Sequence, residues 1–224
     1  MFLFVITFLS MEARAGDVYL VPSIDVHFTG WTGGDAGTID SYDSASNMSV
    51  LGVMLQKDKW FTGLLLKSGN FDFENMAPEQ DSGTVVTPAT IHRADFDLVA
   101  GYYFWDQVAL FVDLKSSSMS WVDTDYVVSF GGIGLGVSGY YQLKDSTLYS
   151  SFGLVNLTAR VDENEVGTGA GSSLEFGWLK KISPTMSFKI GVKSQTQVID
   201  YTNTNKQTNM VGGIIVGISK AFSL

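Results

Sequence analysis

The stretch TIHRADFDLVAGYYFW, residues 90–105, sorts its side chains into two sets by strict alternation. Ala94, Phe96, Leu98, Ala100, Tyr102 and Phe104 make one set; Arg93, Asp95, Asp97 and Gly101 make the other. A period of two places successive residues on opposite faces of a β-strand, so this strand has an apolar face and a charged one. The pattern recurs. In DVYLVPSIDVHFTGW (17–31), Val18, Leu20, Ile24, Val26 and Phe28 alternate with Tyr19, Ser23, Asp25, His27 and Thr29. In QVALFVDLK (107–115), Val108, Leu110, Val112 and Leu114 alternate with Asp113 and Lys115. TMSFKIGVKSQ (185–195) repeats it with Met186, Phe188, Ile190 and Val192 against Lys189, Gly191 and Lys193. No comparable stretch carries the 3.6-residue period of a helix.

The connections between such strands alternate in length. Short polar turns stand at QKDKW (56–60), WDQ (105–107), LKDST (143–147) and KKISPT (180–185). Long segments rich in Gly, Ser, Thr, Asn and Asp lie near 32–47, 72–90, 116–126, 160–172 and 199–209. This rotation predicts about ten antiparallel strands in five hairpins, with long loops at one end and tight turns at the other. A propeller would share the period of roughly 40 residues but not the alternation of connection lengths.

Bulk composition narrows the class. The chain of 224 residues is 45% hydrophobic and 17% charged, which excludes a disordered protein. A net charge of −9 argues against nucleic acid as a partner, since phosphate binding needs a basic face. With no cysteine there is neither a disulfide framework nor a thiolate metal site. The apolar run from Met1 to Leu9 is too short to span a bilayer, and Ala13-Arg14-Ala15 supplies a small-x-small cleavage site. Residues 1–15 are therefore expected to be a signal peptide, incomplete because it has no basic n-region, and residues 16–224 the mature domain.

Which face points inward decides the class. A soluble sandwich turns its apolar face to the core, whereas a membrane barrel turns it to lipid. Aromatic residues gather at the short-turn ends: Trp60, Phe61, Tyr102, Tyr103, Phe104, Trp105, Tyr140, Tyr141, Tyr149, Trp178 and Phe188. A thinner set, Phe28, Trp31, Phe71, Phe73, Trp121 and Tyr126, marks the opposite end. Two rings of aromatics are what a bilayer's interfaces select. Trp60, Phe104, Trp105, Tyr141, Trp178 and Phe188 are the expected membrane-interface girdle. The last strand, MVGGIIVGISKAFSL, places Ile214, Val216, Ile218 and Phe222 on one face. On these features residues 16–224 resemble a small outer-membrane β-barrel of Gram-negative bacteria, of the broad OmpA-type and porin-like superfamily. The resemblance implies an all-β, transmembrane, up-and-down antiparallel barrel in the bacterial outer membrane. It implies the lipid bilayer, lipopolysaccharide and the barrel assembly machinery as partners. Such barrels end in an aromatic residue; here Phe222 is followed by Ser223-Leu224.

With the polar face inward, the lumen holds Asp25, His27, Lys67, Arg93, Asp95, Asp97, Asp113, Lys115, Glu175, Lys189 and Lys193. Apart from His27 these are five acids and five bases, set several residues above the turns as a mid-height belt. Pairing about Asp106 would bring Asp97 opposite Lys115, and pairing about residue 182 would bring Glu175 to Lys189. Opposite charges across a ladder attract, and unpaired charge in a dry lumen is costly. A salt-bridge-filled lumen, with a structural or adhesin-like surface role, is the leading expectation. The alternative is a small passive ion or solute channel lined by the same belt. A third reading is enzymatic. The pairs Asp25/His27 and Asp95/Asp97 resemble those of omptin proteases, but their chain order is reversed and the mature chain is shorter. Lipid A deacylases need a Ser-His-acid set, which His27 alone supports weakly. The expectation is therefore no enzyme, no cofactor and no metal site, His92 being an interfacial side chain on the outward face.

The long segments carry Asp35, Asp40, Asp43, Asp72, Glu74, Glu79, Asp81, Asp123, Asp125, Asp162, Glu163, Glu165 and Asp200 against Arg160 and Lys206. An acidic outer end suits an extracellular ligand or cation-bridged lipopolysaccharide, and no loop has calcium-site spacing. GTGAGSS (167–173) reads as a flexible linker, lacking the Lys and helix of a phosphate loop. GLGVSG (134–139) matches a dinucleotide fingerprint but lies inside a strand. Alternation turns Gly132, Gly134 and Gly136 to the lumen, making room for neighbours such as Tyr103 and Phe111. Export predicts cleavage after Ala15: the mass of membrane-extracted protein should match a chain starting at Gly16, and a retained leader would contradict it.

Overall fold

Alternation along the sequence becomes a wall of long strands in a computed structural model that describes residues 17–35, 41–76, 87–124, 126–202 and 206–224. Ten strands build the wall: β1 (Val18–Asp35), β2 (Ser41–Lys57), β3 (Trp60–Met76), β4 (Thr87–Trp105), β5 (Val108–Trp121), β6 (Val127–Gln142), β7 (Ser146–Val161), β8 (Asn164–Lys181), β9 (Met186–Tyr201) and β10 (Lys206–Lys220). A two-residue strand, β11 (Phe222–Ser223), follows. Each long strand pairs antiparallel with the next, and β10 returns to β1 from Ser23↔Ser219 to Asp35↔Gln207, closing the barrel. Below that seam Leu20 pairs with Phe222, and the Leu224 amide donates to the Val18 carbonyl at 2.9 Å. The predicted up-and-down barrel is the observed fold.

The apolar face points outward. Ile24 is 59% exposed, Leu135 64% and Val192 55%, while Asp97 and Asp113 on the other face are 0% exposed. Outward rows such as Phe96-Leu98-Ala100-Tyr102 on β4 and Ile214-Val216-Ile218 on β10 join into an apolar band nearer the short turns. Above it the outward residues turn polar: Asn47 and Ser49 on β2, Ser116 and Ser118 on β5, Asn156 and Thr158 on β7. Length explains the change. A strand of 17 residues, rising ~3.3 Å per residue at a tilt of ~40°, climbs roughly 40 Å, more than a lipid-facing band of about 25 Å needs. The upper wall therefore stands clear of hydrocarbon.

That height corrects the expected long loops. Most of the Gly/Ser/Thr-rich segments are strand, and the β7–β8 connection is only Asp162 and Glu163, whose φ values of 47° and 69° form a tight turn. The segment 167–173 is no linker: Gly167, Gly169 and Gly171 sit within β8, between Ala159, Leu157 and Val155 of β7 and Tyr201, Ile199 and Gln197 of β9. Its composition looks loop-like because outward residues there meet water and inward ones yield space to larger neighbours.

The glycines of β6 follow the same rule. Gly136 lies directly across the ladder from Phe111, and a Cβ there would come within 2.0 Å of the Phe111 ring. Gly101 faces Phe61, Gly177 faces Tyr149 and Gly33 faces Tyr42 in the same way. Inward aromatics fold over bare backbone, an arrangement that lets the wall curve while the lumen fills. The sidedness of the wall predicts a depth-dependent cost. Val112→Arg should lower stability in phospholipid vesicles by about 2–4 kcal/mol and Ser118→Arg by about 0–1 kcal/mol. Urea titration followed by tryptophan fluorescence checks the pair; equal losses would contradict the assigned band.

Candidate functional site

Four inward faces carry most of the charge at mid-height. On β4 the inward residues are Arg93, Asp95 and Asp97, on β5 Asp113 and Lys115, on β3 Lys67, and on β9 Lys189 and Lys193. β1 adds Asp25 and His27, and β8 adds Glu175. Register brings them together. Asp97 lies opposite Lys115 as expected, and the two groups meet at 2.5 Å. Lys67, opposite Asp95, reaches the other oxygen of Asp97 at 2.6 Å. Lys115 also approaches Asp113 at 3.5 Å. Asp95 takes the Arg93 guanidinium at 3.1 Å and the Ser117 hydroxyl at 2.5 Å through one oxygen. All of these side chains are buried.

The second half of the belt departs from the expected pairing. β8 and β9 are offset so that Glu175 lies opposite Lys193, with which it pairs at 3.3 Å, and Lys189 lies opposite Leu179. The turn is centred two residues later than residue 182, because Ile182 and Ser183 both donate to the Met186 carbonyl and shorten the turn around Pro184. Lys189 instead reaches over Gly217 of β10, which lies opposite both residues, to Asp25 of β1 at 2.5 Å. Five acids and five bases thus leave the belt with zero formal charge, His27 taken as neutral. In surroundings of low dielectric this balance matters, since an unpaired ion is the costly state.

Apolar layers bound the belt on both sides. Toward the turns lie Val21, Met54, Phe61, Val99, Tyr103, Phe111 and Tyr149, all buried. Toward the loops lies a cap around Trp31, whose ring contacts Phe71 and Phe73 edge-on with centroids 5.2 Å away. The Trp31 indole donates to the Asn209 side-chain oxygen at 3.1 Å, and the Tyr42 hydroxyl donates to the same oxygen at 2.8 Å. Gln207 donates to the Tyr42 oxygen at 2.9 Å. Arg93 lies 5.3 Å from the Trp31 ring centroid and joins cap to belt by a cation–π contact.

The aromatic residues therefore divide. Trp60, Trp105 and Tyr141 are strongly exposed, and Phe104 faces outward beside Trp105 with ring centroids at 4.6 Å. Trp178 and Phe188 are half-buried on outward positions. Phe61, Tyr103 and Tyr149 point inward, as do Trp31, Phe71, Phe73 and Trp121 from the opposite ring. Parity along each strand identifies them: Phe71 and Phe73 share the inward set of Lys67, and Trp31 that of Asp25. His92 stands outward, its Nδ1 2.7 Å from the Asn70 side-chain oxygen. Asp25, His27, Asp95 and Asp97 are 3%, 7%, 4% and 0% exposed, and the three carboxylates are engaged by cations. Among the described residues, no three His, Cys, Asp or Glu side chains form a metal-ligand group.

No protein-family profile and no curated protein sequence matches the chain. Solved structures do. The outer membrane protease OmpT from Escherichia coli is similar over 94% of this chain and 99% of its own, with a TM-score of 0.50 and 10% identity. The translocator domain of the autotransporter NalP from Neisseria meningitidis matches over 94% and 90%, with a TM-score of 0.47 and 11% identity. The outer membrane protein OprG from Pseudomonas aeruginosa matches over 94% and 98%, with a TM-score of 0.35 and 14% identity. The fold is that of the outer-membrane β-barrels.

The belt's geometry predicts that Asp97 is its keystone. Asp97→Ala would remove the carboxylate that Lys67 and Lys115 share and should cost about 3–5 kcal/mol, measured by urea unfolding from vesicles. Adding Lys67→Met alone, which restores the balance at four acids and four bases and leaves Lys115 to Asp113, should recover much of the loss; a double variant no more stable than the single one would contradict the assignment.

Proposed function

We propose that this chain is a bacterial outer-membrane barrel with a closed lumen, serving a structural and surface-interaction role rather than transport. The observation that carries this reading is the burial of the belt. Lys67, Arg93, Asp95, Asp97, Asp113 and Lys115 are 0–5% exposed, in a barrel ten strands round. A conducting pore would leave its lining charges in water. Here their partners are one another, between an aromatic cap and an aromatic floor.

The outward end supports a surface role. Asp43, Asp72, Glu74, Asp123, Asp162, Glu163, Glu165 and Asp200 are exposed there, against Arg160 and Lys206. Asp40, Glu79, Asp81 and Asp125 lie outside the described residues. An acidic rim on a rigid wall suits cation-bridged contact with lipopolysaccharide and recognition of a basic extracellular ligand. The lipid bilayer and the barrel assembly machinery complete the partners that follow from this placement. A proteolytic role has less support, because the four side chains it would use are sealed within the belt.

Planar-bilayer recording of refolded residues 16–224 tests the reading. The expected result is a silent membrane at protein amounts that give full insertion by gel shift. Reproducible stepwise currents would overturn the closed lumen and favour the passive channel.

A further inference from the structure

Among the described residues, several buried polar groups near the belt lack a hydrogen-bond partner, and Gln195 is the one amide for which this holds at both its nitrogen and its oxygen. Gln195 on β9 is 1% exposed, and neither its amide nitrogen nor its amide oxygen makes a hydrogen bond among the described residues. An amide buried in this way gives up its water without replacement, an unfavourable state. Its position is one inward step above Lys193, across the ladder from Val211 of β10. Both neighbours of Gln195 on that face, Lys193 and Gln197, are polar and buried.

Beside it the packing leaves a cavity of about 10 Å³, lined by His27, Thr29, Met48, Lys193, Gln195 and the β10 wall at Val211 to Ile215. β10 has two consecutive glycines here, Gly212 and Gly213, and Gly30 of β1 pairs with Gly212. With so little side chain in the wall, nothing from β10 can grow into the space to meet the amide: a Cβ on Gly213 would lie 1.8 Å from the Phe28 carbonyl oxygen. Thr29 donates its hydroxyl to the His27 carbonyl at 3.3 Å, so that hydrogen is not given to the Gln195 amide oxygen.

We infer that this cavity is a binding site for one water molecule, held between the Gln195 amide and the His27 imidazole. The volume is about that of one water-sized probe, and a site of this size holds water only where polar groups converge on it. Gln195 supplies both a donor and an acceptor, and an imidazole nitrogen supplies either. Lys193 and Met48 close the remaining sides. The water joins the ion-pair belt below to the amide cluster of Gln197, Gln207 and Asn209 above, and so completes the polar filling of the lumen. The site is too small for an organic ligand. An anion drawn by Lys193 is the competing occupant.

A high-resolution crystal structure of the wild-type protein tests the assignment directly. The expected result is a solvent peak within hydrogen-bond distance of both Gln195 and His27, with no anomalous signal after a bromide soak. An empty cavity overturns the proposal, and so does an anomalous bromide peak. Gln195→Met gives a second reading by urea titration. If water satisfies the amide, the midpoint should stay level or fall; a clear rise would mean that the wild-type amide is dry and unsatisfied, and would overturn the site.

Discussion

Everything in this molecule depends on closing one hydrogen-bond ladder. In hydrocarbon an unpaired backbone amide or carbonyl costs several kcal/mol, so a sheet survives there only if it has no edge. The seam between β1 and β10 removes both edges at once, from Ser23↔Ser219 up to Asp35↔Gln207. Beneath it the chain adds a shorter device. Ala221 turns inward and is buried, and its amide donates to the Thr185 carbonyl at 2.8 Å before β11 resumes pairing with β1. The seam is thereby extended to Tyr19, almost the first described residue.

Closure creates an interior, and the interior sets its own rules. Ten strands enclose more space than aliphatic side chains on every strand would suit, so filling is uneven. Phe61, Phe111 and Tyr149 lie across glycines on neighbouring strands, large against nothing. At mid-height charges occupy the space instead, and there the low dielectric admits only paired ones. Asp97 holds two lysines, and Lys189 spans from β9 to Asp25 of β1 across the closing seam. The ion pairs are thus a consequence of closure as well as a tie across it. Their near-complete burial is the reason the lumen reads as filled.

Much of this was legible in the residues. Alternation assigned the outward apolar face correctly on all the strands it was read from, and hairpin symmetry about Asp106 brought Asp97 to Lys115. It also placed Gly136 opposite room that Phe111 fills. The failures share a cause. Trp31, Phe71, Phe73 and Trp121 looked like interface aromatics because they stand at the loop end, although parity puts them inside. Composition overruled periodicity there, as it did at 167–173, where serine and glycine suggested a linker in what is β8. The Glu175 partner failed for a finer reason: a turn centred two residues later changes every cross-strand pair above it. Composition cannot specify that offset.

By itself the sequence determined that the chain is a series of two-faced strands, that the apolar face is the outer one, and that the inner charges balance. These are local properties, carried by a period of two within each strand and by the aromatics near its turns. Only the tertiary structure decided the charge pairs beyond Asp97 and Lys115, that the upper aromatics form an inner cap, and that Gln195 faces a cavity beside His27. Each of these joins residues from strands far apart in the chain or depends on an exact stagger between neighbours. The stagger is settled by how the whole ring closes, since a barrel of fixed strand number must distribute its register shifts around the full circuit.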